Sequence, residues 1–490
     1  MNINYLANLS LYIPEIMVIF TLVGLLFIEA TYSEEEKGRK LFFGVMTVGL
    51  VLALLALVKN LGVPPASIFT NAVIIDPFST IVKILMVAGT LFTIYLGQQS
   101  RDIYSNMKAE FALMAIGVLV GGMLLASANN MLTTYIGVET LSILSYVMAT
   151  LKKNDDRSSE AGIKYVLYGG VASGMMVFGI SHIFGVFGSI QFVEIYPLIK
   201  DLSSLQMAIL IPSFIFFFVG LGYKIACVPF HMWAPDVYEG SPLPVTTFFA
   251  IVPKMAGMAI LLRVTMIFFG PENTVMHVSW VGVLQVVAAL TMIVGNVSAI
   301  AQKSVKRMLA YSSIGQAGFM LLGVVVIDDI GVSAVLFYMI TYLFMTLVAF
   351  FITSFVADKY GNDHFERFSG LGFRYPLMGV VMAVVMFSLT GVPPFAGFIA
   401  KFNIFYAAIN QKLYTLVLIG GLTSVISFYF YVKVIRFMFF TPAESEEKIG
   451  GFGYINQGLI TALAVPVLFL GIFWSGLITK IVHSKLFFVQ

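Results

Sequence analysis

Residues 215–263 read IFFFVGLGYKIACVPFHMWAPDVYEGSPLPVTTFFAIVPKMAGMAILLR, and the reading of the whole chain starts from them. Two strongly apolar segments, each long enough to enter a bilayer, carry one lysine apiece, Lys224 and Lys254. Between them lies a polar turn rich in proline, with His231, Asp236 and Glu239. An ammonium group inside hydrocarbon costs a few kcal/mol on insertion scales and more in simulations. Each lysine also sits close to a helix-breaking proline, Pro229 or Pro253. Amines held at that cost, beside broken helices, are expected to carry protons.

The composition agrees with a membrane setting. The chain has 490 residues, 59% hydrophobic and 11% charged, with mean hydropathy +0.95. A soluble chain carries about 25% charged residues. One cysteine, Cys227, excludes a disulfide, thiolate iron–sulfur ligation and a structural zinc site within this chain. Met1 to Ser10 lacks a basic leader, so the first apolar stretch is expected to be a span.

A crossing helix needs about 20 apolar residues. On that ruler fourteen spans are expected, at 11–30, 41–59, 76–97, 110–128, 131–150, 161–187, 205–227, 244–269, 278–300, 307–327, 332–357, 376–402, 412–440 and 456–480. The fold class is therefore all-α and polytopic, a single membrane domain over 1–490. Within it we expect an N-terminal three-helix part (1–109), a first repeat (110–270), a second repeat (278–440) and a C-terminal helix (456–490). The loop cations test the count: seventeen Lys and Arg fall on one side and five on the other. The positive-inside rule then puts both termini outside the cytoplasm. Lys83, Lys164, Lys224, Lys254, Arg263 and Lys401 fall within or at the ends of spans. For Lys164 and Arg263, nearer the span ends, snorkelling is the bland explanation.

Discontinuous spans in corresponding halves mark ion sites in transporters. Span seven has Gly220, Gly222 and Pro229 around Lys224, and span twelve has Gly391, Pro393, Pro394 and Gly397 before Lys401. The two breaks are five spans apart, an odd shift that inverts orientation, so spans 4–8 and 9–13 are expected to form inverted repeats. YIGVETLSIL in span five loosely echoes YSSIGQAGFM in span ten. Backbone groups freed at the breaks can hold water, and water carries protons between distant side chains.

Glu139 is the carboxylate of span five, and Lys224 is its expected partner. Moving that carboxylate away would favour proton release from the buried lysine. The alternative is an ion pair that fixes helix packing. Lys254 is expected to relay laterally and Lys401 to be the terminal site. Tyr223, His231, Tyr311, Ser312, Ser313 and Gln316 are candidates for ordering water, with Lys164 a further candidate member. For His231 an interface bond to a loop carbonyl is an equal reading, and His182 is weaker. No strand precedes a glycine-rich turn, so a dinucleotide site is unsupported. Redox chemistry is not expected in this chain, and no metal or cofactor site is expected.

The runs IGVETLSILSYVMA, AGIKYVLYGG, YKIACVPFHMWAPDVYEGSPLPVTTFFAIVPKMA, KRMLAYSSIGQAGF and TGVPPFAGFIAKF resemble the antiporter-like membrane subunits of respiratory complex I, NADH:quinone oxidoreductase. The resemblance covers essentially the whole chain. It implies fourteen helices, inverted five-helix repeats with helices seven and twelve broken, and a proton relay of Glu139, Lys224, Lys254 and Lys401. It implies proton translocation driven by quinone reduction in partner subunits, with NADH, FMN, iron–sulfur clusters and quinone held there. Lys401, where one sibling type carries glutamate, and the short stretch after the last span mark the quinone-proximal sibling. That sibling's partners would be the small subunits K and J and the antiporter-like subunit M, in a bacterial inner membrane. Multi-subunit cation/proton antiporters and membrane-bound hydrogenases share the fold and stand as the alternative.

Overall fold

The computed structural model describes residues 9–32, 36–270, 274–442 and 453–483. Helices α1 (Ile13–Tyr32), α2 (Glu36–Asn60) and α3 (Pro77–Gln99) form the first three crossings. They are followed by α4 (Lys108–Ala126), α5 (Met131–Ala149), α6 (Asp156–Phe187) and α7 (Ser204–Ile225). A short helix, α8 (Trp233–Gly240), precedes α9 (Leu243–Phe268), α10 (Thr274–Ile300), α11 (Val305–Val325) and α12 (Asp329–Tyr360). Two half-length helices, α13 (Pro376–Thr390) and α14 (Ala396–Asn410), lead to α15 (Tyr414–Phe440) and α16 (Tyr454–Ile472). Among the described residues thirteen helices are long and apolar enough to cross a membrane. The α13–α14 pair supplies the fourteenth crossing; the expected boundaries hold to within about five residues elsewhere, except that the last span, expected to reach 480, ends at Ile472.

Burial follows apolarity around the circumference. The most apolar stretch of α9 is wholly buried, and α11 and α12 are nearly so. The α1, α2 and α6 helices expose most of theirs, as lipid-facing helices do when apolar residues run all round. With α9 at the centre, α3, α4, α7, α11 and α12 pack about it.

Both expected interruptions are present, five crossings apart. The α7 helix stops where Ala226 takes a left-handed conformation (φ 56°), its N–H bonded back to Tyr223 O and Cys227 N–H to Gly222 O. The α13 helix stops at Gly391 (φ 93°), whose N–H returns to Ser388 O and Phe387 O. Pro393 and Pro394 follow and have no N–H with which to continue it. Span twelve, expected as one broken crossing over 376–402, is two half-helices whose second piece runs on to Asn410.

The chain is not free of strands. Ala66–Ile68 (β1) pairs antiparallel with Val73–Ile75 (β2), Ala66 opposite Ile75. Phe69, Thr70 and Asn71 turn the hairpin with positive φ. Ile74 N–H then bonds Ser127 O (2.8 Å), and Asn129 N–H bonds Ala72 O (3.0 Å), seating the hairpin on the end of α4. The loop after α2 was too short and mixed to show an alternating pattern. Lys448, Lys485 and both chain ends, used in the orientation expectation, lie outside the described residues.

A buried row of lysines and hydroxyl groups

Lys224 occupies the last turn of α7, 2% exposed. Its Nζ lies over three tyrosine rings, Tyr223 at 5.1 Å, Tyr146 at 5.5 Å and Tyr165 at 5.7 Å. It makes no hydrogen bond among the described residues. Ring faces attract the ammonium form but accept no proton. A buried ammonium with free N–H groups is a site for ordered water.

The expected contact between Glu139 and Lys224 is corrected. Glu139 is only partly buried on α5, and its carboxylate accepts from the Ser173 hydroxyl on α6. No ion pair joins it to Lys224 within 4.0 Å, and the Lys224 amine has no hydrogen bond among the described residues. Tyr146, whose ring faces the amine, lies two turns along α5 from Glu139. α5 turns Glu139 toward α6, while Lys224 extends into the tyrosine cage.

Beyond the cage, aromatic rings lead to the second lysine. Tyr165 stacks on Trp233 at 4.4 Å, and Trp233 meets Tyr238 edge-on at 6.1 Å. Tyr238 in turn lies 5.8 Å from the Lys254 Nζ. The Tyr165 and Tyr238 hydroxyls are buried without a partner among the described residues. Trp233 Nε1 donates to Tyr223 O (3.0 Å), and the Tyr223 hydroxyl donates to Tyr165 O (2.8 Å). The break after α7 thus lets the α8 rings bridge two lysines.

Between Lys254 and Lys401 lie three hydrogen-bonded segments, adjoining where Ser313 meets Ser312 and where Leu389 meets Thr390 along the chain. Lys254 Nζ donates to Ser313 Oγ (2.8 Å) and Ser313 O (2.9 Å) on α11. Neighbouring Ser312 shares a short hydrogen bond with the Tyr431 hydroxyl. That hydroxyl accepts from Gln316 Nε2 (2.9 Å), which also donates to Leu389 O (3.1 Å). Tyr338 donates to the Gln316 carbonyl. The next carbonyl after Leu389, that of Thr390, accepts from Lys401 Nζ (2.8 Å). Leu389 O and Thr390 O are helix-end carbonyls released by the break. Lys401 also donates to Ser424 Oγ (3.1 Å) and lies 4.2 Å above the Phe319 ring.

Other expected members fall outside this line. His231 is half-buried in the turn between α7 and α8, with no hydrogen bond to any of the four. Lys164 sits at the rim, bonded to Asp236 (2.6 Å) and Glu160 (2.6 Å). There Arg307 of α11 also pairs with Asp236 (3.2 Å) and with Glu239. Snorkelling is overturned for Arg263. It is buried and forms a two-pronged pair with Asp76, at 2.8 and 3.1 Å. Lys306, read as a loop cation, is buried and donates to Ser241 O (2.5 Å) and Glu239 O (3.0 Å). Sequence reasoning missed Tyr146, Tyr165, Trp233, Tyr238, Tyr338 and Tyr431. For Tyr146, Tyr165, Tyr338 and Tyr431 the available signal was their lying in spans that also carry Glu, Lys or Ser; Trp233 and Tyr238 lie in the polar turn beside Asp236 and Glu239.

The family described as NADH:quinone oxidoreductase/Mrp antiporter, transmembrane, matches residues 128–427. A protein of Anaeromyxobacter sp. named NADH-quinone oxidoreductase subunit N is 35% identical, over 95% of this chain and 94% of its own length. A chain in the structure of respiratory complex I from Thermus thermophilus with bound aureothin superposes with a TM-score of 0.80. It is 29% identical, over 96% of this chain and 99% of its own. A chain of the Mrp complex from Dietzia sp. has a TM-score of 0.83 at 20% identity, covering 98% and 97% of the two chains. At that identity the likeness is one of fold.

Proposed function

The chain belongs to the NADH:quinone oxidoreductase/Mrp antiporter membrane family, and from that premise we propose that it is the N-type subunit in the membrane arm of a bacterial NADH:quinone oxidoreductase and translocates protons. Identity of 35% and 36%, each over 95% of this chain, with proteins named for that subunit favours this over the cation/proton antiporter or hydrogenase alternative. Glu139, Lys224, Lys254 and Lys401 carry the proton. In this reading the chain is a translocase subunit without redox chemistry of its own. NADH, FMN, iron–sulfur clusters and quinone belong to partner subunits. The subunits K, J and M are its neighbours, the bacterial inner membrane its location, and both termini lie outside the cytoplasm.

The observation that carries the reading is the line of hydrogen-bonded segments between Lys254 and Lys401: Lys254 on Ser313, then Ser312, Tyr431 and Gln316 ending on Leu389 O, then Lys401 on Thr390 O at the broken helix, with water bridging the joins. Hydroxyls both donate and accept, so they can pass a proton between amines that neither touch nor need to move. Glu139 sets the field at Lys224 from one side. A charge change in a neighbouring subunit that draws a counter-charge toward or away from Glu139 alters how firmly Lys224 holds its proton. Water at the unpartnered Lys224, Tyr165 and Tyr238 atoms completes the first half of the line.

The test is proton pumping coupled to quinone reduction in the assembled complex, reconstituted in vesicles. Lys224→Ala and Glu139→Ala are expected to lower pumping while the complex still assembles on a native gel. Normal pumping in both variants overturns the reading.

A further inference from the structure

The first three crossings hold buried charges that the lysine row does not use. Lys83 on α3 meets Glu15 on α1 at 2.5 Å, both side chains at most 4% exposed. Two turns earlier on α3, Asp76 meets Arg263 of α9. The α3 and α9 helices run antiparallel in a fixed register. Asp76 pairs with Arg263, the Cβ position of Gly89 lies 2.9 Å from Ile251, and Met86 and Ala256 both border Gly122. That register brings Lys83 to the level of Gly257. Gly257 is also where Lys224 packs, its Cβ position 3.2 Å from the Lys224 Cβ. Lys83 therefore lies at the depth of Lys224, within a turn of Lys254. Helical side chains lean toward their helix N-terminus, so the Lys83 amine points back toward the hairpin end, where Glu15 meets it.

We propose that Glu15 and Lys83 form a second proton-holding pair, opening the lysine row toward the hairpin end of the membrane domain; the proposal rests on reading that row as a proton pathway. The proton passes from Lys83 Nζ to Glu15 Oε1, leaving a neutral amine and a neutral acid. The acid gives it up to water at the hairpin end, and the amine is refilled from the row. Both Glu15 oxygens are buried without a hydrogen bond among the described residues, Oε1 meeting Lys83 as an ion pair, which leaves Oε2 to accept from such water. Tyr12, partly exposed beside the hairpin, lies within the field of Glu15.

A packing role alone does not account for the pair. Well-packed apolar residues commonly hold helices as well as a buried ion pair or better, and ionisable residues inside spans mark function by default. The neighbouring Asp76–Arg263 pair differs in kind. Arginine keeps its proton, so that pair supplies a fixed charge.

Two variants decide, measured as protons moved per quinone reduced in the assembled complex. Lys83→Arg keeps the charge and the pairing but does not release the proton. The double variant Glu15→Leu/Lys83→Met removes both charges and leaves neither partner stranded. Loss of most of the pumping in assembled complexes is expected for both. Normal pumping in either overturns the proposal, and so does a double variant that cannot assemble, since the pair then serves to hold α1 to α3. If Lys83→Arg alone does not assemble, the double variant decides. Lys224→Ala separates the two levels. Pumping intact there sinks the pathway itself. Pumping lost there but intact in the Lys83→Arg complex sinks only the pair.

Discussion

Lys401 donates a 2.8 Å hydrogen bond to the carbonyl of Thr390, the last residue of the half-helix before it. An unbroken helix would commit that carbonyl to an amide four residues on. Gly391, Pro393 and Pro394 prevent this, so the same residues that interrupt the crossing supply the acceptor for the buried ammonium.

The Gly391 backbone is in the left-handed region (φ 93°), and a Cβ there stands 2.9 Å from the Lys401 Cδ. Gly391→Ala is expected to cost about 1–2 kcal/mol in backbone strain and to push the lysine off Thr390. Pumping falls in consequence. Gly361 is the control, since it has a similar φ of 75° and nothing within 4 Å of its Cβ position. Gly361→Ala should carry the strain alone and pump normally. Equal pumping by the two variants removes the link between the break and Lys401.

Lys254→Arg separates charge from proton release at the centre of the row. The guanidinium donates to Ser313 as the ammonium does, but it stays protonated at any working pH. Proton uptake coupled to quinone reduction should drop with the complex assembled. Pumping at the native level makes Lys254 a structural cation.

The crossings and both interruptions were legible because apolar length and Gly–Pro clusters are local signals. The four charged residues proposed as the relay stood out because charge inside a span is rare. Partner choice was not. The tyrosine cage around Lys224 comes from α5, α6 and α7, and Ser173 takes Glu139 from α6. These are contacts between helices that sequence spacing does not encode. The missed pairs had a subtler sign. Glu15 and Asp76 stand at the starts of spans, where a carboxylate reads as an ordinary N-terminal residue, and Asp76 does cap α3 through Ser79. The pairing with Lys83 and Arg263 appears only when three helices are brought together.

Asp102 lies in the connection between α3 and α4, outside the crossings. Burial pushes its carboxyl up, but Lys306 and Lys152, a hydrogen bond from Lys152 and the Leu243 N–H outweigh burial and hold it below the usual carboxylate range. Its folded value is thus lower than its unfolded one. The stabilisation is complete above the ordinary aspartate range near about 3.9 and fades as pH falls through the lowered value. Thermal unfolding of the purified complex should show this acid loss, and Asp102→Asn should weaken it. An unchanged acid profile in Asp102→Asn shows that other carboxylates govern it.

Tyr431 ties α15 to α11 through Ser312 and Gln316. Tyr431→Phe removes one hydroxyl and keeps the ring packed on Phe430, 4.4 Å between centroids. The Gln316 amide retains Leu389 O, and its carbonyl retains the Tyr338 hydroxyl, so the fold loses only about 1–3 kcal/mol. The proton line loses its single hydroxyl between Ser312 and Gln316. Tyr431→Phe is therefore expected to assemble and to reduce quinone with fewer protons moved per turnover. Gln316→Leu should do the same by emptying the step between Tyr431 and the Leu389 carbonyl. If both variants pump at the native ratio, the hydrogen bonds between Lys254 and Lys401 hold helices together and carry no protons.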